Sequence, residues 1–437
     1  MDDMNAMNRE MKKQQLRRQI VPNPGEERPK PPSPYPEEDE EEAIKKAHHK
    51  VLRHRLVISL VIVLVIAAIA GGVQYWKQNH QYTEYGVAWE TDLLAGDSEG
   101  RTESSSFTGY VDFGGNVVKY TKDGASYIDA KGKTIWVQTY EMKAPIAVVN
   151  GDYIAIADQQ GNSIYICDKS GCQGTATTLL PILKVSVSAK GVAAAILEDA
   201  KANYITMFRK DGEPLDITVK ARLSGDGYPL DLSLSPDGTE LICSYAYMNN
   251  GLMDSRVVFY NFSEIGKNAS PKRIVGGFDE PFSGSLVPRV HFMTDTESFA
   301  CSDKGLAFFS TKNLVSPELT AQAAVESEIL SLFYSAEYVG IIAANQEGEA
   351  PYRMEIYNSR GELELKKEFA FPYQHASISD GRILLWNENS FQAYNMAGTL
   401  KFEGTFDDVI TKVTAGRFPN SYIITGPQKM REITLQR

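Results

Sequence analysis

The sequence predicts an all-β fold: a β-propeller of eight blades, with seven as the alternative, behind one transmembrane helix and an unstructured N-terminal tail. Three observations predict it. A charge-free apolar run follows a cluster of cations near Arg55. Beyond it one short phrase recurs, an alternating apolar or aromatic run closed by Asp or Asn, two residues and Gly. The recurrence interval is that of propeller blades, roughly 40–50 residues.

The span comes first in the chain. No charge occurs between Arg55 and Lys77, and Leu56 to Val73 is almost unbroken Leu, Ile, Val and Ala. A bilayer core of about 30 Å needs roughly 20 apolar residues in a helix. Tyr75 and Trp76 extend the run with aromatics that favour the headgroup level. A buried core helix would normally keep a polar face, and this run has none. Residues 53–76 are therefore expected to span a membrane. Lys45, Lys46, Lys50, Arg53 and Arg55 precede the run, whereas only Lys77 follows it before Arg101. That asymmetry puts the N-terminus in the cytoplasm and the C-terminal domain outside. Ala68-Ile69-Ala70 has the small residues of a cleavage site. The 55 residues before the run exceed a cleaved signal of roughly 15–30, so an uncleaved anchor is expected.

Charge and cysteine usage narrow the function classes. Up to Arg55 the chain carries 12 Lys or Arg and 11 Asp or Glu; the part beyond the span carries 33 and 45, a net of −12. An acidic balance disfavours nucleic acid, which selects basic faces, and flat docking on anionic lipid. The four cysteines are too few for a disulfide-built scaffold. Cys167 and Cys172 flank a turn in ICDKSGCQG and are either a local disulfide or two free thiols. A zinc site there would need two more thiol or imidazole ligands, and no His is near in sequence. Cys243 and Cys301 sit in apolar strand-like runs and read as small buried hydrophobes.

The tail, residues 1–52, is rich in Pro and charge and too poor in large apolar residues to offset ordering, so it is expected to be disordered. Arg28, Pro31 and Pro34 have an R-x-x-P-x-x-P spacing that aromatic-lined grooves can read; a stiff, solvated spacer is the plainer alternative. The acid run Glu37 to Glu42 followed by Lys45, Lys46 and Lys50 suits the dipole of a helix leading into the membrane.

A linker over 77–106 leads to the propeller over 107–437. The repeated phrase ends at Gly132, Gly171, Gly361 and Gly398, with looser copies ending at Gly212, Glu264 and Asn313; the intervals are 39, 41, 52, 49, 48 and 37 residues. Alternation gives a strand; Asp or Asn then folds onto its own backbone in a tight turn, and Gly accepts positive φ. DYIAIAD, QQGN and SIYICD read as strand, turn and strand. The last unit, YIITGPQKMREITL, lacks a strand. A segment near Tyr85 to Trp89, or Tyr110 to Phe113, would close the ring and protect its edges. YMNNGLMDS and EIGKNASPKRIVGGFDEPFSGS read as insertions, and SPELTAQAAVESE as one that forms a short helix.

No common catalytic signature occurs: no G-x-S-x-G, no phosphate loop, no H-E-x-x-H, no haem attachment and no calcium loop. Only His80, His291 and His375 lie beyond the span. Asp199, Asp226 and Asp231 read as solvated turn acids. No catalytic residue, cofactor or metal set is expected. Phe278 and Phe282, on the Gly276-Gly277 insertion, are the candidate partner-binding residues of the outer domain; the alternative is that both rings fold back into the core. Asn261 and Asn268 begin glycosylation sequons by pattern.

DGASYIDAKGKTIW and GNSIYICDKSG resemble the quinoprotein-type propeller repeat. The order of tail, span, GDYIAIADQQGN, GYPLDLSLSPDGTEL and FYNFSEIG followed by VGGF is similar to a domain-of-unknown-function family of single-pass membrane-anchored propellers of Gram-positive bacteria. The resemblance covers the span and Phe107 to Arg437. It implies an extracytoplasmic propeller and no activity. Quinone-dependent dehydrogenases add a calcium site and docking tryptophans that are not recognisable here. The expected function is a binding or scaffold module for an extracytoplasmic protein or wall glycan, since a rigid ring presents many loops. The alternative is an enzyme with a funnel-borne site, quinone- or metal-dependent or a lyase. Signalling through the span is a third reading.

Overall fold

A computed structural model describes residues 37–93, 107–346 and 348–436. Two compact units are present, Met1–Trp76 and Lys77–Arg437.

In the first unit the described feature is α1, Glu37–Asn79, which runs on past the unit's end. Within it Lys45–Gly72 is long and apolar enough to cross a membrane, and none of it is buried. The helix takes in 37–52, which composition alone assigned to the unstructured tail. The acid-first, base-later order accounts for it, with Lys46 Nζ 3.1 Å from Glu42 Oε2 one turn back. Arg28, Pro31 and Pro34 lie outside the described residues.

The second unit contains eight four-stranded antiparallel sheets. Blades 1 to 7 each take four consecutive strands: β2–β5 over 108–139, β6–β9 over 145–177, β10–β13 over 182–222, β14–β17 over 228–278, β18–β21 over 289–324, β22–β25 over 329–369 and β26–β29 over 375–405. Blade 8 takes β30–β32 over 412–436, and β1 (Glu84–Asp92) completes it as the outermost strand. The pairing runs from Glu84 opposite Gln436 to Asp92 opposite Lys429, with a bulge between Val87 and Trp89. Of the two segments expected to close the ring, the one around Tyr85 to Trp89 does so. It lies inside the stretch read as linker. Tyr110 to Phe113 belongs to β2, the innermost strand of blade 1.

The repeated phrase is the third strand of a blade and its turn into the fourth. In blade 3, Gly212 has φ 87° and donates its N–H to Arg209 O at 2.9 Å. A Cβ there would collide with the backbone of Thr175, on the outermost strand of blade 2. Gly361, φ 82°, stands in the same way against Phe308 and Ala321 of blade 5. The glycine therefore serves the turn and also the close approach of that turn to the preceding blade.

Blades stack face to face, and each core cluster lies between neighbours. Ile164, Val185, Ala195 and Phe208 join blades 2 and 3. Phe391, Phe402, Val413 and Tyr422 join blades 7 and 8. Strands in the middle of a blade are buried on both faces, as in β11, Ala193–Leu197, where every residue is buried. Clean alternation survives on outermost strands such as β13, Pro214–Arg222. The same alternation appears in β21, Glu318–Ala324, where a short helix was expected. Blade 5 needs this outermost strand, and tertiary pairing overrides the helix propensity of its Ala and Glu.

Candidate functional site

First strands of adjacent blades are neighbours and line the middle of the ring. Short polar side chains link them. Ser186 Oγ accepts from Leu234 N at 3.0 Å, Asp231 Oδ2 from Val290 N at 3.0 Å, Ser233 Oγ from Phe292 N at 3.0 Å, and Ser379 Oγ from Ala415 N at 3.1 Å. Each bond ties one innermost strand to the next. Asp231, read from sequence as a solvated turn acid, is 2% exposed and pairs with Arg289 Nη1 at 3.5 Å. Burial raises its carboxyl pKa, with Arg289 opposing. His291 sits two residues further on, its ring 4.3 Å from that of Tyr334 and its Nδ1 3.5 Å from Ser233 Oγ. Burial, with Arg289 adding, pushes its pKa down to about 3, so the ring is neutral.

Antiparallel blades put the turns after their first and third strands on one face of the ring. On that face a cleft of about 740 Å³ opens between blades 7, 8 and 1. Ser379 and Asp380 come from the first turn of blade 7, Gly416 and Arg417 from that of blade 8, Gly115 and Asn116 from that of blade 1; Asp129 and Lys131 come from its third turn. The sequence builds these walls locally. Asp129 Oδ1 accepts from Lys131 N and Lys133 N, each at 2.8 Å, and Asn116 Oδ1 accepts from Ala130 N at 3.0 Å.

Charge in the cleft is unevenly used. Asp380 is paired with Arg382 at 2.9 Å, and Arg382 Nη1 donates to Ser421 O at 2.8 Å. Asp112 Oδ1 faces Lys412 Nζ at 3.5 Å; burial raises the Asp112 pKa and Lys412 opposes it. Among the described residues Lys131 and Arg417 have no ion-pair partner. Beside them Phe418 is 58% exposed, with the Arg417 guanidinium 6.0 Å from its ring centre. Among the described residues the cleft therefore offers two cations and one carboxylate, Asp129, outside any ion pair, with Phe418 exposed next to Arg417. Sequence reading missed these residues because no spacing relates positions 131 and 417; only ring closure brings them together.

The residues expected to bind a partner lie elsewhere. Phe282 is 2% exposed, and Phe278 packs 4.9 Å from Phe309 and 5.9 Å from Phe259, in the core between blades 4 and 5. YMNNGLMDS forms the tip of a long hairpin between Glu240–Asn249 and Leu252–Asn261 in blade 4, with Met248 and Leu252 exposed on the opposite face of the ring. The sequon residue Asn261 is 1% exposed and donates to Glu240 Oε1 and Leu314 O. No group of three or more His, Cys, Asp or Glu suited to a metal occurs among the described residues.

Fold and site together define an eight-bladed β-propeller, closed by an N-terminal strand, in a chain that also carries a candidate membrane helix. The chain belongs to the family of unknown function DUF5711, which matches residues 78–435. No curated protein matches the sequence. Among solved structures the chain is similar to the Dos1 propeller, at 8% identity over 80% of this chain and 95% of that one, TM-score 0.51. It is also similar to BamB from Moraxella catarrhalis, at 12% identity over 81% and 98%, TM-score 0.43. A third is Chaetomium thermophilum Sqt1 bound to the N-terminus of the ribosomal protein L10, at 9% identity over 74% and 94%, TM-score 0.48. These identities speak to the fold alone.

Proposed function

We propose that the protein is a membrane-anchored, extracytoplasmic binding module, and that the cleft between blades 7, 8 and 1 takes an acidic loop or peptide of another extracytoplasmic protein. The observation that carries this is the pair of free cations, Lys131 and Arg417, beside exposed Phe418 at a cleft built by three blades. Carboxylates on a partner would meet Lys131 and Arg417, and the guanidinium can bind them in bidentate fashion. Phe418 would cover apolar surface on the partner, as aromatics do at interface centres. Asp112 and Asp380 are each held by a cation, and Asp129 accepts from the backbone N–H groups of Lys131 and Lys133, so none of the three is set up as a free general base. The cations before the span support a cytoplasmic N-terminus, and the resemblance to anchored propellers of Gram-positive bacteria suits that placement.

The test is crosslinking of the full chain at the cell surface, followed by mass spectrometry, with wild type beside Lys131→Glu/Arg417→Glu. One dominant protein recovered with wild type and lost with the double variant is the expected result. Recovery of the same protein with both chains would remove the cleft from the account. Recovery of no protein with either would turn attention to wall glycan or to catalysis.

A further inference from the structure

Cys167 and Cys172 are direct cross-strand partners on β8 (Ser163–Asp168) and β9 (Gly171–Thr177), the two outer strands of blade 2. The hairpin between them is as short as a hairpin can be. Asp168 pairs with Gly171 across the two-residue turn Lys169-Ser170, and Asp168 Oδ1 accepts from Ser170 N at 2.7 Å. The turn is anchored to the neighbouring blade and within its own: Trp136 Nε1 of blade 1 donates to Asp168 O at 3.1 Å, and Lys169 pairs with Asp152, in the first turn of blade 2, at 2.6 Å. The two thiols are thus held opposite one another by a stiff frame. Directly opposed residues in antiparallel strands have Cα atoms about 4.5–5.5 Å apart. Disulfides need about 4.4–6.8 Å. Both cysteines are free thiols, Cys167 fully buried and Cys172 half-buried.

Their surroundings differ, which assigns them different roles. Cys172 Sγ lies 3.3 Å from Gly174 O and retains access to solvent. Hydrogen bonding from Cys167, then the Gly174 backbone and the Thr175 hydroxyl, lowers its pKa against the opposing effect of burial. The bond to Cys172 and burial raise that of Cys167. A thiolate, not a thiol, is the nucleophile in disulfide exchange, so the exposed, more acidic partner attacks first. The other two cysteines, Cys243 and Cys301, are buried in strands of blades 4 and 5, where burial raises both.

We propose that Cys167 and Cys172 form a redox-active dithiol that closes to a disulfide by exchange with a disulfide-bearing oxidant, Cys172 attacking and Cys167 resolving. Cys172 thiolate attacks one sulfur of the oxidant; the oxidant's S–S bond breaks, a mixed disulfide forms, and the first thiolate leaves and takes up a proton. Cys167 then gives up its proton and attacks the Cys172 sulfur, releasing the second thiolate. The pair is oxidised by two electrons and the oxidant is reduced to two thiols. Closure exchanges a thiol contact for a covalent bond between residues already opposed across the hairpin, and the partial exposure of Cys172 suits reversible chemistry.

The experiment equilibrates the full chain, in detergent, with defined ratios of reduced and oxidised glutathione. The sample is acid-quenched, unfolded, alkylated and mapped by mass spectrometry. The expected result is a peptide pair linked through Cys167 and Cys172, rising with oxidised glutathione and reversed by excess dithiothreitol in the folded protein. In Cys167→Ser the expected product is a stable glutathione adduct on Cys172. In Cys172→Ser no adduct forms at Cys167. Two free thiols at every ratio would overturn the proposal. So would a linked pair that dithiothreitol cannot open until the protein is unfolded, because that bond would be structural. Native iodoacetamide labelling of wild type at graded pH gives the second measurement: half-maximal rate at Cys172 below the ordinary thiol range supports its role as attacker, and faster labelling of Cys167 overturns it.

Discussion

Lys412 Nζ stands 3.5 Å from Asp112 Oδ1, joining the innermost strand of blade 8 to that of blade 1 where the ring closes. This seam is the one with least apolar support among the described residues. Five buried apolar residues, Leu93, Val117, Ile128, Ile423 and Met430, form its core cluster, against twelve between blades 7 and 8. Polar contacts supply part of what packing does elsewhere. Tyr110 Oη of blade 1 donates to Gly426 O of blade 8 at 3.3 Å; within blade 8 the borrowed strand is held by Trp89 Nε1, which donates to Glu432 Oε2 at 2.8 Å, and by Glu90, whose carboxylate lies 3.0 Å from Lys429 and 3.9 Å from Arg431.

Lys412→Met should therefore weaken the seam by a measurable amount. It would leave the Asp112 carboxylate, 42% exposed at its side chain, without its cation, a loss of up to about 1 kcal/mol after solvent screening. Denaturant unfolding at neutral pH checks this. Lys412→Met/Asp112→Asn should recover much of the loss, since both partners are then neutral. A double variant no more stable than the single would mean that the pair does not hold the seam.

Replacement of Glu84–Asp92 by a Gly/Ser stretch of equal length should open the ring. β32 would become a bare edge strand, which invites association between molecules. Hydrogen exchange should rise first across Lys412–Gln436, and the protein should elute partly as larger species. A milder version is Trp89→Ala, expected to destabilise by about 1–3 kcal/mol through the lost Glu432 bond and lost packing. Unchanged exchange in blade 8 after the replacement would show that the ring holds without its borrowed strand.

How far the sequence displays this molecule depends on the range of the interactions. The Asp- or Asn-x-x-Gly phrases at Gly132, Gly171, Gly361 and Gly398 are local turn chemistry, so blade number and strand order could be counted from them. The missing strand of the last unit pointed to a loan from near Tyr85 or near Tyr110, and the ring takes the first. The residues that the ring brings together were not legible. Phe278 and Phe282 could be read either as a partner site or as rings folded back into the core, and only the fold of blade 5, which supplies Phe309 to cover them, decides between the two. Lys131 and Arg417 look like ordinary surface cations until closure sets their turns side by side. Asp231 looks like a turn acid because nothing nearby in sequence names Arg289, 58 positions away, as its partner.

His291 should make the protein sensitive to acid. Its folded pKa of about 3 lies below the ordinary value of 6.5, with burial as the main cause. The unfolded chain takes up the proton below that ordinary value while the folded chain resists it. Stability is therefore present above about pH 6.5 and is lost as pH falls toward 3. At about 1.4 kcal/mol per pH unit the loss reaches about 2 kcal/mol at pH 5. Groups facing the ring are Arg289, Ser233, Tyr334 and Phe299. His291→Phe keeps an aromatic against Tyr334 and removes the titration. Thermal melts at pH 7 and 5 should show a smaller drop for the variant; equal drops would assign acid sensitivity to other groups.

Glu240 should act in the opposite direction. Its side chain is 2% exposed, between Thr311 Oγ1, which donates to Oε2 at 2.6 Å, and Asn261 Nδ2, which donates to Oε1 at 3.2 Å. Burial raises its pKa to about 7; those two donors oppose the rise and the carboxylates of Asp237 and Asp295 add to it. A raised folded pKa means that the folded state favours the protonated acid. The stabilising contribution is present below the ordinary value of 4.5 and is lost as pH climbs toward 7. Above pH 7 the folded protein carries an ionised buried carboxylate at a penalty of at most about 3 kcal/mol. Glu240→Gln copies the protonated acid: its carbonyl can accept from Asn261 and its amide can donate to the Thr311 hydroxyl. The variant should exceed wild type in stability at pH 8 by about 1–3 kcal/mol and match it at pH 4.5. His291 titrates within the same range, so the quantity to read is the difference between variant and wild type at each pH, in which the histidine cancels. A variant that is weaker than wild type at pH 8 would show that the ionised carboxylate is worth more to its two donors than burial costs it.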